Sequence, residues 1–204
     1  MFCDFRICFS EEIDEVRKLL QKFGFDGACI IMEDLSSYEK TKKKILDINI
    51  NNFKFLFGLE LSSGKIDLLK NRKEFDYFVF RDPSYNIARM LVNKKKVDCI
   101  YFSKKFYFND ILAKKMKQNK IALEFCFNDV LNADGKERSV ILWNMIVAAK
   151  ICKKYGTPYI ITSGAKNIFE LRNRNSLENF ARVLGFQKTK NAFCVPRLCD
   201  IHED

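Results

Sequence analysis

One histidine, His202, serves the whole 204-residue chain. That scarcity removes several chemistries at once. Metal sites of HxH, HxxxH or HxxEH type cannot be assembled, and a Ser or Cys nucleophile with a His base would have to borrow His202 from the C-terminal stretch. Glycine loops that cradle phosphates are missing too. There is no GxGxxG and no GxxxxGK[ST], and Ser163-Gly164 is not a GxSxG elbow. Only three prolines occur, Pro83, Pro158 and Pro196, and no Gly/Ser-rich stretch splits the chain. A single domain over 1–204 is therefore expected, with 191–204 left open as an eighth strand or a tail. No apolar run approaches membrane-spanning length, and no basic n-region with a long apolar h-region opens the chain. It begins on strand-like Met1-Phe2-Cys3-Asp4-Phe5-Arg6-Ile7, so a soluble cytoplasmic protein with no membrane partner is expected. The eight cysteines form no CxxC pair, and most sit in apolar runs such as Ala28-Cys29-Ile30-Ile31. That pattern reads as free thiols of a reducing compartment used as small hydrophobes.

Against these absences, 48% of the residues are hydrophobic, enough for a sizeable core. β-Branched and aromatic runs predict strands at 2–8, 26–32, 53–61, 75–80, 97–102, 121–127 and 158–162. Helical patterns lie between them. Apolar residues at 13, 16, 19, 20 and 23 have helical spacing, with Ser10 as N-cap and Gly24 as C-cap. Further helices are expected near 37–47, 85–95, 108–119, 137–155 and 176–184, with only a weak, short one at 65–72. Repeated strand–helix units imply parallel strands joined by crossovers. Seven or eight of them in this length predict a compact TIM-barrel-like α/β fold, a doubly wound open sheet being the alternative. No internal sequence repeat is evident.

Strand parity refines this picture. In 121–127, Ile121, Leu123, Phe125 and Phe127 share one face, and Ala122, Glu124 and Cys126 the other. In the first strand Cys3, Phe5 and Ile7 oppose Asp4 and Arg6. In the third, Phe57, Leu59 and Leu61 oppose Gly58 and Glu60. Bulky residues are expected to face the helices, and small and ionic ones the barrel interior. Asp4, Arg6, Glu60 and Glu124 should then meet inside, with Arg6 as the partner that buried carboxylates require.

Charge is unevenly spread. Nine of the 26 acidic residues and four of the 36 basic ones lie in 1–39, a local balance of −5, so 40–204 carries +15 of the net +10. Such an excess on a folded domain favours a polyanion. The stretch Ile160-Ile161-Thr162-Ser163-Gly164-Ala165-Lys166-Asn167 reads as a buried strand that breaks at Ser163-Gly164 and restarts as a helix near Ala165 or Lys166. A helix start there would offer free amides and a lysine to phosphate. Other cations fall at expected strand ends and helix starts: Arg81, Arg89, Lys104, Lys105, Arg172 and Arg174. With Lys166 they are expected to share one rim of the barrel and to bind nucleic-acid phosphates, the candidates for RNA contact once the resemblance below is drawn. Lys114, Lys115, Lys117 and Lys120 oppose Phe108, Ile111, Leu112 and Met116. That stripe reads first as a solvated helix face, and Lys114 is carried with the RNA-binding candidates. In 139–155, Ile141, Met145, Ala148, Cys152 and Tyr155 form an apolar stripe. Trp143 and Val147 occupy the face that should be wet, so the helix is either deeply buried or a partner interface.

Taken together, several segments resemble the archaeal ribonuclease P protein component 3 family. They are Ile-Ile-Thr-Ser-Gly-Ala-Lys…Glu-Leu-Arg…Ala-Arg-Val-Leu-Gly-Phe within 160–186, Asp-Ile-Leu-Ala-Lys-Lys-Met-Lys-Gln-Asn-Lys-Ile-Ala-Leu-Glu-Phe within 109–127, Asp98 in Lys-Val-Asp-Cys-Ile, and the opening Phe-Cys-Asp. The resemblance implies a TIM-barrel-like subunit of a ribonucleoprotein endonuclease that removes 5′ leaders from precursor tRNA, with the RNA performing the hydrolysis. It further implies binding to ribonuclease P RNA, a second small protein subunit as partner, indirect contact with precursor tRNA, and no cofactor, metal or catalytic residue in this chain. The family is distantly related to metal-dependent phosphoesterases. The chain departs from the family pattern at Arg81-Asp82-Pro83, where a smaller, Gly-rich turn is usual. Two other readings stand beside this one: a free-standing barrel phosphoesterase holding Mg²⁺ on Asp4, Glu60 and Glu124, and a basic scaffold whose apolar helix docks a protein.

Overall fold

A computed structural model of the chain describes residues 2–8, 13–32, 35–46 and 52–199. Each of the seven apolar runs forms a strand: β1 Cys3–Ile7, β2 Gly27–Met32, β3 Lys54–Leu61, β4 Tyr77–Arg81, β5 Cys99–Tyr101, β6 Ala122–Cys126 and β7 Tyr159–Thr162. They pair in sequence order, and every pair is parallel. Strands buried on both faces need near-continuous apolar sequence, which is why these runs stood out. Helices supply most of the crossovers: α1 Ile13–Lys22, α2 Leu35–Leu46, α3 Tyr85–Asn93, α4 Asp110–Gln118, and the pair α5 Phe127–Leu131 and α6 Gly135–Tyr155. Between β3 and β4 the link is a 3₁₀ segment, Ser63–Asn71, where the helical pattern was weakest. The Ser10 cap lies outside the described residues, whereas Gly24, at φ +86°, takes the left-handed conformation expected after α1.

The ring is nearly closed. β1 meets the segment just after β7 through an isolated bridge, Ile7 to Ala165, supported by the Cys8 amide donating to the Ala165 carbonyl at 2.8 Å and the Ser163 amide donating to Asp4 Oδ1 at 3.1 Å. No eighth strand fills the gap among the described residues. The C-terminal stretch forms a 3₁₀ turn, Lys190–Phe193, that packs on β7 and β1, followed by α8 Pro196–Cys199. Phe193 is fully buried with its ring edge-on to Phe25 at 5.8 Å, and Val195 is buried with the barrel-interior residues. Among the described residues six cysteines are free and five of those buried, as the apolar contexts implied; Cys194 departs from that expectation in being disulfide-bonded.

Parity holds for β3 and β6 and fails in β1. Leu56, Ala122 and Cys126 pack in an inner cluster, while Leu59, Leu61, Leu123 and Phe125 face the helices. In β1 the register with β2 slips between Asp4 and Ile7, a bulge. Cys3, ahead of the slip, and Phe5 both face inward, and the Phe5 ring meets Tyr77 of the non-adjacent β4 at 5.3 Å. Arg6 points inward as well, and only Ile7 joins the helix-facing layer.

A repeated device tightens the end of the barrel where the strands begin. Asp26, Asp76 and Asp98 each stand immediately before a strand and accept a backbone N–H from the adjacent strand or, for Asp26, from the residue just before it: Phe2 N at 2.9 Å, Phe57 N at 2.9 Å and Phe78 N at 2.8 Å. The sequence signal is an apolar residue followed by Asp just before each of these strands: Phe25-Asp26, Phe75-Asp76 and Val97-Asp98. Asp98 is the buried member, and it also takes Arg72 Nη2 at 2.6 and 2.7 Å. Removing a buried acceptor leaves its donors desolvated. Asp98→Ala should therefore cost about 2–4 kcal/mol in urea unfolding, whereas Asp26→Ala, at an exposed bond, should cost about 1 kcal/mol or less. Equal losses would contradict this division.

Candidate functional site at the barrel mouth

Parallel α/β barrels keep their ligand sites where the strands end. At that end lies a cavity of about 690 Å³, lined by Arg6, Glu60, Arg81, Tyr101, Asp129 and Lys166 among others. Arg6 organises it. The β1 bulge aims its guanidinium across the barrel, where Nε donates to Glu124 Oε1 at 2.5 Å, Nη2 to Glu124 Oε2 at 3.0 Å, and Nη1 to Glu60 Oε2. Glu124 Oε1 also accepts the Thr162 hydroxyl at 2.7 Å. Burial works against the Arg6 charge, but Glu124 and Glu60 outweigh it and hold the guanidinium above its ordinary pKa. Three of the four residues expected to meet inside therefore do so. Asp4 does not pair with them by side chain: it accepts the amides of Ser163 and Arg6 and fastens β1 to the end of β7. Burial lifts its carboxyl to about 6.

Tyr101 and Asp129 extend the cluster, and parity alone did not find them. The Arg6 guanidinium lies 4.2 Å from the centre of the Tyr101 ring, and Arg81 lies 5.7 Å from it. The Tyr101 hydroxyl donates to Asp129 Oδ1 at 2.7 Å. Burial raises the Asp129 carboxyl to about 7, only partly opposed by that hydrogen bond and by Arg6, and its Oδ2 has no hydrogen-bond partner. Among the described residues, no group of three His, Cys, Asp or Glu side chains is placed to share a metal ion. At the barrel centre, where the phosphoesterase reading would put Mg²⁺, the Arg6 guanidinium sits between Glu60 and Glu124. These donors do not fit a cation.

The loop after β7 differs from the expected strand-to-helix switch. Gly164 has φ +69°, and a Cβ there would lie 2.2 Å from Cys126 Sγ, so both conformation and space require glycine. No helix restarts at Ala165 or Lys166. A single 3₁₀ turn, Ile168–Glu170, comes next, and α7, Arg174–Val183, begins after an Asn173 cap. The amides meant for phosphate are already occupied: Ser163 N by Asp4, Ala165 N by Ser163 Oγ at 3.3 Å, and Lys166 N by Glu170 Oε2 at 2.8 Å. α5 starts at Phe127, directly after β6, so Phe127 is helical and not the strand's last residue; the backbone amide of Asn128, its second residue, donates to the Ser163 carbonyl at 3.0 Å.

The eight basic candidates do not share one rim. Arg81, Lys104 and Lys166 line the mouth, and exposed Lys105 is next to Lys104 in sequence. Arg81 also reaches Glu60 and Asp82, each at 3.4 Å, and Lys104 pairs with Glu137 at 2.6 Å. Asp82 takes φ +47°, so the turn where glycine is usual is held by Asp82 accepting the Ser103 amide at 2.8 Å and hydroxyl at 2.7 Å. Arg89 and Lys114 lie on α3 and α4, outside the barrel, over Tyr85 and Tyr155. Arg172 is half-buried and donates to the carbonyls of Phe169 and Leu171 at 2.9 and 2.8 Å. Arg174 is at the opposite end: its guanidinium lies 3.4 Å from the Phe2 ring centre and its amide donates to Phe23. On α6, Ile141, Met145, Ala148, Ala149 and Cys152 are buried, while Val140, Trp143 and Val147 are exposed. Ile111 of α4, expected on the buried stripe, is also exposed. No helix among the described residues is long and apolar enough to cross a membrane.

Known proteins match over nearly the whole chain. The family model described as RNase P subunit p30 matches residues 1–200. Ribonuclease P protein component 3 of Methanococcus maripaludis strain C5 is 27% identical over 177 residues, covering 82% of this chain and 77% of that protein. The protein of the same name from Methanothermobacter thermautotrophicus is 23% identical over 204 residues, covering 93% and 83%. Among solved structures, a chain of an archaeal ribonuclease P with mature tRNA, seen by cryo-electron microscopy, superposes with a TM-score of 0.80 at 23% identity, over 98% of this chain and 90% of that one.

Two predictions test the cluster. Arg6→Met leaves Glu60 and Glu124 buried without a counter-charge and should cost about 3–5 kcal/mol at pH 7. An unpaired buried carboxylate protonates more readily folded than unfolded, so the loss should shrink as pH falls. A loss independent of pH would mean that only packing was removed. Asp129 in the folded chain titrates near 7, above its unfolded value. Its contribution to stability is therefore greatest at low pH and declines as pH rises from about 4 to about 7. Asp129→Asn should flatten that part of the pH–stability profile and gain about 1–3 kcal/mol at pH 8 relative to pH 4. An unchanged profile would refute the assignment.

Proposed function

The chain belongs to the RNase P subunit p30 family and is a protein subunit of ribonuclease P; on that footing we propose that it binds the enzyme's RNA and supports 5′-leader removal from precursor tRNA without contributing catalytic groups. The observation that carries this reading is the contrast between the centre and the lip of the mouth. At the centre the carboxylates are neutralised by Arg6 and buried. At the lip Lys105 and Lys166 are exposed, in the loops after β5 and β7, and Lys104 and Arg81, the latter at the end of β4, line the mouth with Lys166. Cations on loops give phosphate affinity with little sequence readout, which suits a subunit that holds a folded RNA. Arg89 and Lys114 extend the basic surface over the outer helices; Arg174, at the far end, and Arg172, spent on its own loop, are weaker contacts.

Protein contact is assigned to α6. Trp143 is 62% exposed and Val147 38%, with Val140 on the same side, and a helix that is apolar on its wet face fits a second small protein subunit. Precursor tRNA is met through the RNA. The setting proposed is the cytoplasm, in keeping with six free cysteines among the described residues, although Cys194 is disulfide-bonded.

Reconstitution tests the reading. The chain, its candidate partner and ribonuclease P RNA together should cleave precursor tRNA at lower Mg²⁺ than the RNA alone. In direct binding, Lys105→Ala with Lys166→Ala should lower the slope of log affinity against log salt by about 1.5, one phosphate contact per lysine, without changing the melting temperature. An unchanged slope would remove these lysines from the interface. Phosphatase or nuclease activity of the isolated chain that is lost in Glu124→Gln would overturn the non-catalytic assignment.

A further inference from the structure

Resting on the RNA-binding reading, we propose that Phe169 is a nucleobase-stacking platform held out from the lip of the barrel mouth. Phe169 is 88% exposed, the most exposed of the large hydrophobic residues described. Isolated exposed apolar residues are common and say little alone. What sets Phe169 apart is the loop that carries it. Its neighbours turn inward: Leu171 is buried and Ile168 packs against the core. The Phe169 amide donates to Asn167 Oδ1 at 3.0 Å, and its carbonyl accepts Arg172 Nη1 at 2.9 Å. Glu170, the only carboxylate between Ser163 and Asn173, is drawn in by Asn128 Nδ2 at 2.9 Å and the Lys166 amide at 2.8 Å. Asn128 Nδ2 also donates to the Gly164 carbonyl at 3.1 Å, tying the loop to the barrel. The backbone that presents the ring is thus ordered before any ligand arrives, and binding need not bear that ordering entropy.

The surroundings select the ligand. Lys166, three residues earlier, lines the mouth, and the loop's one negative charge is turned inward. Asn167 and Asn173, both exposed, flank the ring in sequence, polar company that suits a nucleic acid better than an apolar protein pocket. An exposed aromatic three residues from a lysine in one loop matches an unpaired nucleotide, base on the ring and phosphate on the ammonium. Unpaired bases in loops and bulges of a structured RNA are the chemical class expected.

Stacking and phosphate contact separate by salt. Binding of full-length chain to ribonuclease P RNA should be measured across a salt series for wild type, Phe169→Ala, Phe169→Leu, Phe169→Trp and Lys166→Ala. Phe169→Ala should weaken affinity about tenfold at every salt concentration, the share of one stacked base, with the salt slope unchanged. Phe169→Leu should resemble Phe169→Ala, and Phe169→Trp should bind at least as tightly as wild type. Lys166→Ala should instead reduce the slope. Phe169→Ala binding like wild type, or Phe169→Leu retaining full affinity, would overturn the proposal. So would lost assembly with a protein partner at unchanged RNA affinity, which would assign the ring to protein contact. Wild type showing no salt-dependent RNA binding would fail the RNA-binding reading itself, a result distinct from a null effect at Phe169.

Discussion

The ion pair between Arg6 and the two glutamates of β3 and β6 is the constraint on which the barrel mouth depends. One guanidinium joins three strands across the interior, bidentate to Glu124 and single to Glu60, with Thr162 of β7 bonded to Glu124. Planar, fork-shaped donors suit this bridging where a lysine would satisfy one partner at a time. The arrangement rests on the β1 bulge, which lets Phe5 pack below Arg6 on the inner face and returns Ile7 to the outer layer. It also fixes the chemistry available. Carboxylates that would hold a metal or move a proton are paired with a charge whose removal would leave them buried and uncompensated.

Around that centre the two ends of the barrel are specialised. Where strands begin, aspartates bond to neighbouring strand amides, most deeply at Asp98 with Arg72. The gap between β1 and β7 is covered there by the turn Lys190–Phe193 and buried Phe193. Where strands end, loops carry lysines and arginines over a cavity, and the loop after β7 is fastened at Asp4, Asn128 and Glu170. Stability is concentrated at one end and at the centre, leaving the other end free to carry binding groups, as loops on a rigid scaffold commonly do.

Much of this was legible in the residues. All seven strands followed from β-branched and aromatic runs, because parallel strands buried on both faces leave an apolar signature that tertiary context does not erase. Arg6, Glu60 and Glu124 were brought together by parity and the cost of burying charge. The failures share a cause. The bulge shifts β1 by one residue, and parity cannot register it, so Phe5 and Asp4 were assigned to the wrong partners. Ser163-Gly164 announced a break, but the path of the loop beyond it is set by Asn128 and Glu170, groups outside the turn that compete for its polar atoms. The basic residues were found by type and misplaced by location: Arg174 sits by Phe2 and Arg172 clamps its own loop, since a surface cation leaves no periodic trace of the surface it occupies.

The central claim is that the barrel centre is structural and the lip binds RNA. It is tested most directly by reconstituting precursor-tRNA cleavage with a chain carrying Arg6→Met, Glu60→Met and Glu124→Gln together, which removes the charges without stranding one of them. If the centre only holds the fold, a folded triple variant should support cleavage at the wild-type rate and bind the RNA with the wild-type salt slope. A folded variant that binds RNA normally but no longer supports cleavage would contradict the account and return catalysis to these carboxylates.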